Sequence, residues 1–154
     1  VFLQTMPKVA IAPLIMVWFG LGDLSKVVLA STIVFFSVMI NTMDGLRIRP
    51  EYYDLARVYK ANDWQIMLRI RLRNALPNIF TGLRIGTTLA VIGVTVAEFV
   101  GSQDGLGHLM VLYQAYMKIP EMFAAIVVLS IFGYIFYELL KFIEKILLPW
   151  YREE

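Results

Sequence analysis

The chain has no cysteine, a single histidine (His108), and charge on only 17% of its 154 residues. Without cysteine there are no disulfide scaffolds, thiolate zinc sites or cysteine nucleophiles. His108 has no acid at ligand spacing, so no metal is expected. The scarcity of charge accompanies 59% hydrophobic residues and a mean hydropathy of +0.69. Soluble domains average about 25% charged and about 45–50% apolar residues, so this chain is displaced toward lipid on both counts. A soluble fold of this size would expose large apolar patches, which argues against a soluble enzyme. The net charge of +2 gives no electrostatic footprint for nucleic acid. The opening Val1-Phe2-Leu3-Gln4 has no initiator methionine, basic region or cleavage site, so it is not a signal peptide. It reads as an N-terminally truncated piece, the C-terminal part of a longer membrane protein.

What is present is long apolar runs. Val27 to Ile40 carries no charge, and with its flanks, 26–43, it approaches the roughly 20 residues that a spanning helix needs. A second span is expected over 80–100, interrupted only by Arg84 and Glu98, and a third over 119–140, ending in Lys141 and Lys145. Trp150 and Tyr151 beyond it suit an interfacial belt. The opening segment, 6–21, is apolar but holds Pro7 and Pro13, and reads as a kinked or short membrane helix. The fold class is therefore an all-α, polytopic transmembrane helical bundle.

Between the first two long spans the composition changes. Residues 44–78 hold Arg47, Arg49, Arg57, Lys60, Arg69, Arg71 and Arg73, seven of the fourteen Lys and Arg residues, whereas 101–118 holds only Lys118. Short basic loops stay inside, so 44–78 is expected in the cytoplasm and 101–118 outside, with the C-terminus (Arg152) inside again. Pro50-Glu51 suits a helix start, Asn62-Asp63 a stop and a new cap, and Leu76-Pro77 a stop before the membrane. The segment thus reads as two short amphipathic helices. One has Leu55, Val58 and Tyr59 on a face, and the other has Trp64, Met67, Leu68 and Leu72. It is either an ordinary basic anchor or a docking surface for a cytosolic partner.

Single residues leave alternatives open. Glu98 suits a pathway, a pair with a neighbouring helix, or a cap on the loop at Gly101. Arg84 is expected to snorkel to headgroups rather than touch substrate. Gly82, Gly86 and Gly93, with Thr87, Ala90 and Ala97, make a small face for packing, including packing between subunits. Tyr113, Tyr116 and Met117 suit the interface or the outer end of a pathway. The glycines of 101–107 lack a following Lys-Ser/Thr and form a turn rather than a phosphate loop.

The order Asp54-Leu55-Ala56-Arg57, Lys60-Ala61-Asn62-Asp63-Trp64-Gln65 and Arg73-Asn74-Ala75-Leu76-Pro77 resembles the EAA motif of binding-protein-dependent ABC transporter permeases. Pro7-Lys8-Val9-Ala10, Trp18-Phe19-Gly20-Leu21-Gly22, Gly82-Leu83-Arg84, Ala97-Glu98-Phe99 and Gly105-Leu106-Gly107 look like that family's flanks, in the nitrate, sulfonate and taurine branch. The chain departs from the motif at Asp54 for Glu, Leu55 for Ala and Lys60 for Gly. A lysine with negative φ could replace that glycine only if the turn is looser. The resemblance implies a MetI-like type I importer permease of the cell membrane. It would have no catalytic residues and no cofactor in this chain, and ATP would be bound by a partner. It assigns Asp54, Ala56, Arg57, Lys60, Ala61, Leu76 and Pro77 to docking of cytosolic ATPase subunits, and Glu98 and Arg84 to pathway or structural roles. The other implied partners are a second permease subunit as a homodimer, an extracytoplasmic solute-binding protein and the lipid bilayer. The cargo implied is nitrate, a sulfonate or taurine, or a small organic precursor. The other reading of the residues is a secondary transporter or channel subunit whose basic loop only anchors it.

Overall fold

A computed structural model describes residues 7–150, all helix and connection with no strand among them. Met6, Tyr151 and Arg152 lie outside the described residues. A 3-10 turn at Lys8–Ile11 leads into α1 (Ala12–Phe19), followed by α2 (Asp23–Gly45), α3 (Pro50–Val58), α4 (Asp63–Gly101), α5 (Leu106–Ala115) and α6 (Ile119–Leu147). Among the described residues α2, α4 and α6 are long and apolar enough to cross a membrane. The fourth expected span is only the short helix Lys8–Phe19, because Gly20 at φ +80° ends it.

The central packing is α2 against α4, and small residues make it possible. A Cβ on Gly93 would stand 3.0 Å from the Ala30 backbone, one on Gly82 3.1 Å from that of Val38, and one on Gly86 2.8 Å from the Val34 side chain. At the inner end a Cβ on Gly45 would meet the Ala75 backbone at 2.8 Å. Where lipid is as apolar as leucine, such close approach supplies the dispersion contact that holds helices together. The small face of α4 therefore packs inside this chain, against α2. Thr87 and Ala90 lie on another side, in a cavity facing α6. The outer end of the seam is closed by α1, where Ala12, Ile15 and Met16 join Leu29, Ile33 and Ala97 in the core.

Pro77 does not end a helix. It lies inside α4, which runs as one helical rod from Asp63 to Gly101, so the expected second amphipathic helix and the second long apolar helix are continuous. An interior proline costs about 3 kcal/mol through its lost N–H and its clash with the carbonyl four residues back. Tertiary contacts on both sides offset that cost. Ala75 is fully buried, and Asn74 Nδ2 donates to the Gly45 carbonyl at 2.9 Å. Phe80 and Gly82 are buried on the far side. Sequence alone shows the local penalty and not these contacts.

The seam makes a direct prediction. Gly45→Ala and Gly93→Ala should each destabilise the purified full-length protein by about 1–3 kcal/mol, through overpacking against backbone. Gly133→Ala, whose Cβ would sit 3.6 Å from Val91, should stay within about 0.5 kcal/mol of the parent in the same thermal unfolding series.

Candidate functional site: the α3–α4 turn and the polar ties of α4

α3 starts at Pro50 with Glu51 in its first turn and Arg57 in its last, matching the helix dipole at both ends. It ends in a Schellman motif: the Ala61 N–H donates to the Ala56 carbonyl at 3.0 Å and the Lys60 N–H to that of Arg57 at 2.9 Å. The residue that this motif places in the left-handed region is Lys60, at φ +56°. A looser turn with negative φ is thus not what forms. Lysine occupies the position where glycine is cheapest, and bears the backbone cost because the two carbonyls need those donors. Immediately beyond, Asn62 Oδ1 accepts from the Gln65 N–H at 2.8 Å and Gln65 Oε1 from the Asn62 N–H at 3.0 Å, a complete capping box for α4.

Arg57 ties the two helices across this turn. It donates to the Tyr53 hydroxyl at 2.8 Å and to the Ala61 carbonyl at 3.4 Å, and it pairs with Asp63. The Tyr53 hydrogen bond first, and then the Asp63 charge, hold its guanidinium above the usual arginine pKa. Arg57 and Arg71 lie 5.2 Å and 5.8 Å from the Tyr53 ring centroid. Tyr53 is thus central to the turn and was missed by the motif reading. Its signal was the i, i+4 spacing to Arg57.

α3 packs extensively on no other helix. Its exposed apolar side chains are Tyr52, Leu55 and Val58 (77%), continued by Tyr59 (79%) just past its end and joined by Trp64 (70%) at the start of α4. Asp54 is exposed as well, whereas Ala56 is buried and Ala61 half-buried. Ala56 lies at the floor of a groove lined by Leu55, Tyr59, Ala61 and Gln65 and exposes little area of its own. Leu76 and Pro77 are not brought to this turn: about fourteen residues of helix, or about 21 Å, separate them from Asp63. The face expected from Trp64, Met67, Leu68 and Leu72 is interrupted by a π-helical stretch, Met67–Arg71, which rotates the register. Ile66 is the buried residue there, and those four are exposed.

Two polar ties join α4 to its other neighbours. Arg84 does not snorkel. It is buried, with Nε 3.3 Å from Glu144 Oε2 of α6 and Nη2 3.4 Å from Thr81 Oγ1. Glu144 was not anticipated, although an acid inside Phe142-Ile143-Glu144-Lys145-Ile146-Leu147 is the kind of costly group that needs a partner. Glu98 is also buried, and its Oε2 accepts from the Gly107 N–H at 2.7 Å, at the N-terminus of α5. Of the three readings of Glu98 the loop cap comes nearest, displaced from Gly101 to Gly107. Gly105, at φ +113°, has no room for a Cβ beside that carboxylate. Between the two ties lies an apolar cavity of about 420 Å³ lined by Thr87, Ala90, Val94, Glu98, Phe132 and Phe136 among others.

A rod continuous with a stapled, outward-facing helix, on an apolar bundle, is the setting in which the family comparison is decisive. The family described as binding-protein-dependent transport system inner membrane component matches residues 1–153. The chain belongs to this family. It is 43% identical over 127 residues to a probable ABC transporter permease protein of Haemophilus influenzae, covering 82% of this chain and 52% of that protein. It is 37% identical over 152 residues to the formylaminopyrimidine transport permease protein ThiX of Halalkalibacterium halodurans (98% and 61%). With the riboflavin transport system permease protein RibX of Chloroflexus aurantiacus the figure is 38% over 148 residues (96% and 55%). The chain thus spans about half to three fifths of the length of these relatives.

Two outcomes test this geometry. Arg84→Ala and Glu144→Ala should each destabilise the protein by about 3 kcal/mol, since a buried pair loses one member. The reversed pair R84E/E144R should recover part of the loss, and no recovery in thermal unfolding would refute a direct pairing. Lys60→Gly should stabilise the turn by about 1 kcal/mol and slow amide exchange at Ala61 about fivefold. An unchanged rate would contradict the left-handed backbone.

Proposed function

We propose that this chain forms part of the transmembrane subunit of an ABC importer. It contributes to the pathway for a small solute and couples to a cytosolic ATPase through α3 and the turn after it. The observation that carries the reading is the apolar face of Leu55, Val58, Tyr59 and Trp64. It stands clear of the bundle on a turn fixed by Arg57, Tyr53, Asp63 and the Asn62–Gln65 box. A helix held in this way can enter another protein's groove and transmit its movement. The chain holds no Gly-Lys-Ser/Thr phosphate loop, so ATP hydrolysis is assigned to the partner.

The segment 44–78 lies in the cytoplasm and 101–118 outside, as the basic residues direct. When the ATPase subunits close on ATP, the docked turns approach one another and α4 carries the displacement from the turn toward Glu98. Nucleotide shifts the pathway only because its contacts differ between the inward and outward states. A second copy completes the pathway and a solute-binding protein delivers cargo from outside. The apolar cavity with Phe132 and Phe136, together with relatives named for formylaminopyrimidine and riboflavin transport, favours a small organic solute. Asp54 and Arg57 supply the charges at the docking edge, while Leu76 and Pro77 serve the rod rather than the dock.

These 154 residues hold no cysteine, so the test is direct once any cysteine elsewhere in the full-length protein is replaced. Single cysteines at Leu55, Val58, Tyr59 and Ala61 in the full-length protein should crosslink to the co-expressed ATPase, with yields that change with ATP. A cysteine at buried Ala56 should crosslink poorly. If all five positions label equally from the cytosol and capture no ATPase with or without nucleotide, the coupling role is wrong.

A further inference from the structure

The membrane side of the basic segment has a cavity of its own. Among the described residues the ion pairs use Lys26, Arg47, Arg57 and Arg84, and neither Arg69 nor Arg73 pairs with a carboxylate. These two arginines stand four residues apart on α4 and both line a cavity of about 520 Å³ together with Ile48, Tyr52, Asn78 and Trp150. Among the described residues no acidic side chain lines it. The Arg73 guanidinium lies 4.8 Å from the Trp150 ring centroid, so one wall is a cation stacked on an indole. The volume is within the range of about 300–1,000 Å³ usual for small-molecule sites.

The level of this cavity relative to the bilayer limits its occupant. Trp150 follows the end of α6 at Leu147, and Asn78 lies two residues before Phe80, where the apolar stretch of α4 begins. Arg73 is about 10 Å along the helix axis from Phe80. Arg69 is about 16 Å from it. With a polar layer of about 5–8 Å on each side of the hydrocarbon, both side chains meet a headgroup at the outer edge of that layer by leaning back along the helix. Arginine forks match phosphate oxygens, and tryptophan prefers this interface. We propose that the cavity binds the phosphate headgroup of an anionic phospholipid of the cytoplasmic leaflet, held by Arg69 and Arg73 against Trp150. The site adjoins the groove lined by Leu55 and Tyr59, with Tyr52 and Arg69 on the border between them. A lipid held there fixes the end of α6 and the membrane-proximal part of the turn at one depth.

This inference rests on the reading that α4 and α6 cross the bilayer with 44–78 inside, and not on coupling to ATP. It is therefore tested without nucleotide or ATPase. The purified full-length protein is equilibrated in detergent with equal amounts of phosphatidylglycerol and phosphatidylcholine, and retained lipid is counted by native mass spectrometry. Phosphatidylglycerol should be retained in preference, R69Q and R73Q should each lower that preference about fivefold, and R69K/R73K should lower it less than R69Q/R73Q does. R49Q, outside the cavity lining, should change it less than twofold. Equal retention of the two lipids by the parent protein overturns the proposal, and this arm decides it even if the glutamine variants do not fold. Preference unchanged in R69Q/R73Q, or lost as far in R49Q, also overturns it. If millimolar inorganic phosphate strips the phosphatidylglycerol as fully as the glutamine changes do, the occupant is the free anion and the lipid assignment fails.

Discussion

Backbone contact between α2 and α4 is the constraint from which the other placements follow. Gly82, Gly86 and Gly93 bring α4 against Ala30, Val34 and Val38, and Gly45 receives Ala75 and Asn78. In lipid the burial of apolar side chains gives helices little reason to associate, so a stable pair must gain from close contact and from satisfied polar groups. This seam supplies the first along four turns. It also fixes the two ends of the α3 segment, since the chain leaves α2 at Gly45 and returns in α4 beside it, with Asn74 bonded to the Gly45 carbonyl. A turn with few helix contacts beyond the start of α4 can still have a definite position when Arg57 ties it to Asp63 and the chain on either side is anchored at Gly45 and Asn74.

The second element is a small set of polar ties whose partners lie across helices. Arg84 with Glu144 and Glu98 with the Gly107 N–H place charged or strongly polar groups in apolar surroundings, where leaving one unmatched is expensive. Such ties are weak evidence of net stability. Their clearer consequence is register: α6, whose surface is mostly exposed, meets α4 at the height set by Arg84, and α5 begins where Glu98 can receive its N-terminal amide. The apolar cavity between them owes its shape to these two fixed heights.

Sequence reading reached the helical class, the three long spans and the position of the motif, because each depends on composition or on local pattern. Long uncharged runs exceed what strands use, and Asn62 with Gln65 three residues later is a capping pair whose partners are neighbours. It failed where the deciding contact was distant. Pro77 carries a local stop signal that Asn74, Ala75 and Gly45 override, and Arg84 has a local reason to snorkel that Glu144, sixty residues away, removes. Lys60 is a different case. Its side chain argues against a left-handed backbone, yet the Schellman bonds to Ala56 and Arg57 require one. The exposed apolar face of α3 was legible as a pattern in the sequence. That Ala56 is buried while Leu55, Val58 and Tyr59 are exposed depends on the fold.

These elements combine into a lever with one stiff and one compliant section. From Phe80 to Gly101 the rod is clamped by α2, so displacement there must carry α2 along. Between Asp63 and Pro77 it contains a π-helical stretch and a proline, both of which weaken the regular hydrogen-bond ladder. A force applied at α3 therefore meets its least resistance just outside the apolar stretch, beside Arg69, Arg73 and Trp150. How much would reach the proposed pathway depends on how firmly that section is held, and the cavity at this point is where a bound headgroup would stiffen it. In the proposed coupling, its strength would be a property of the membrane-facing side of the turn as much as of the exposed face of α3.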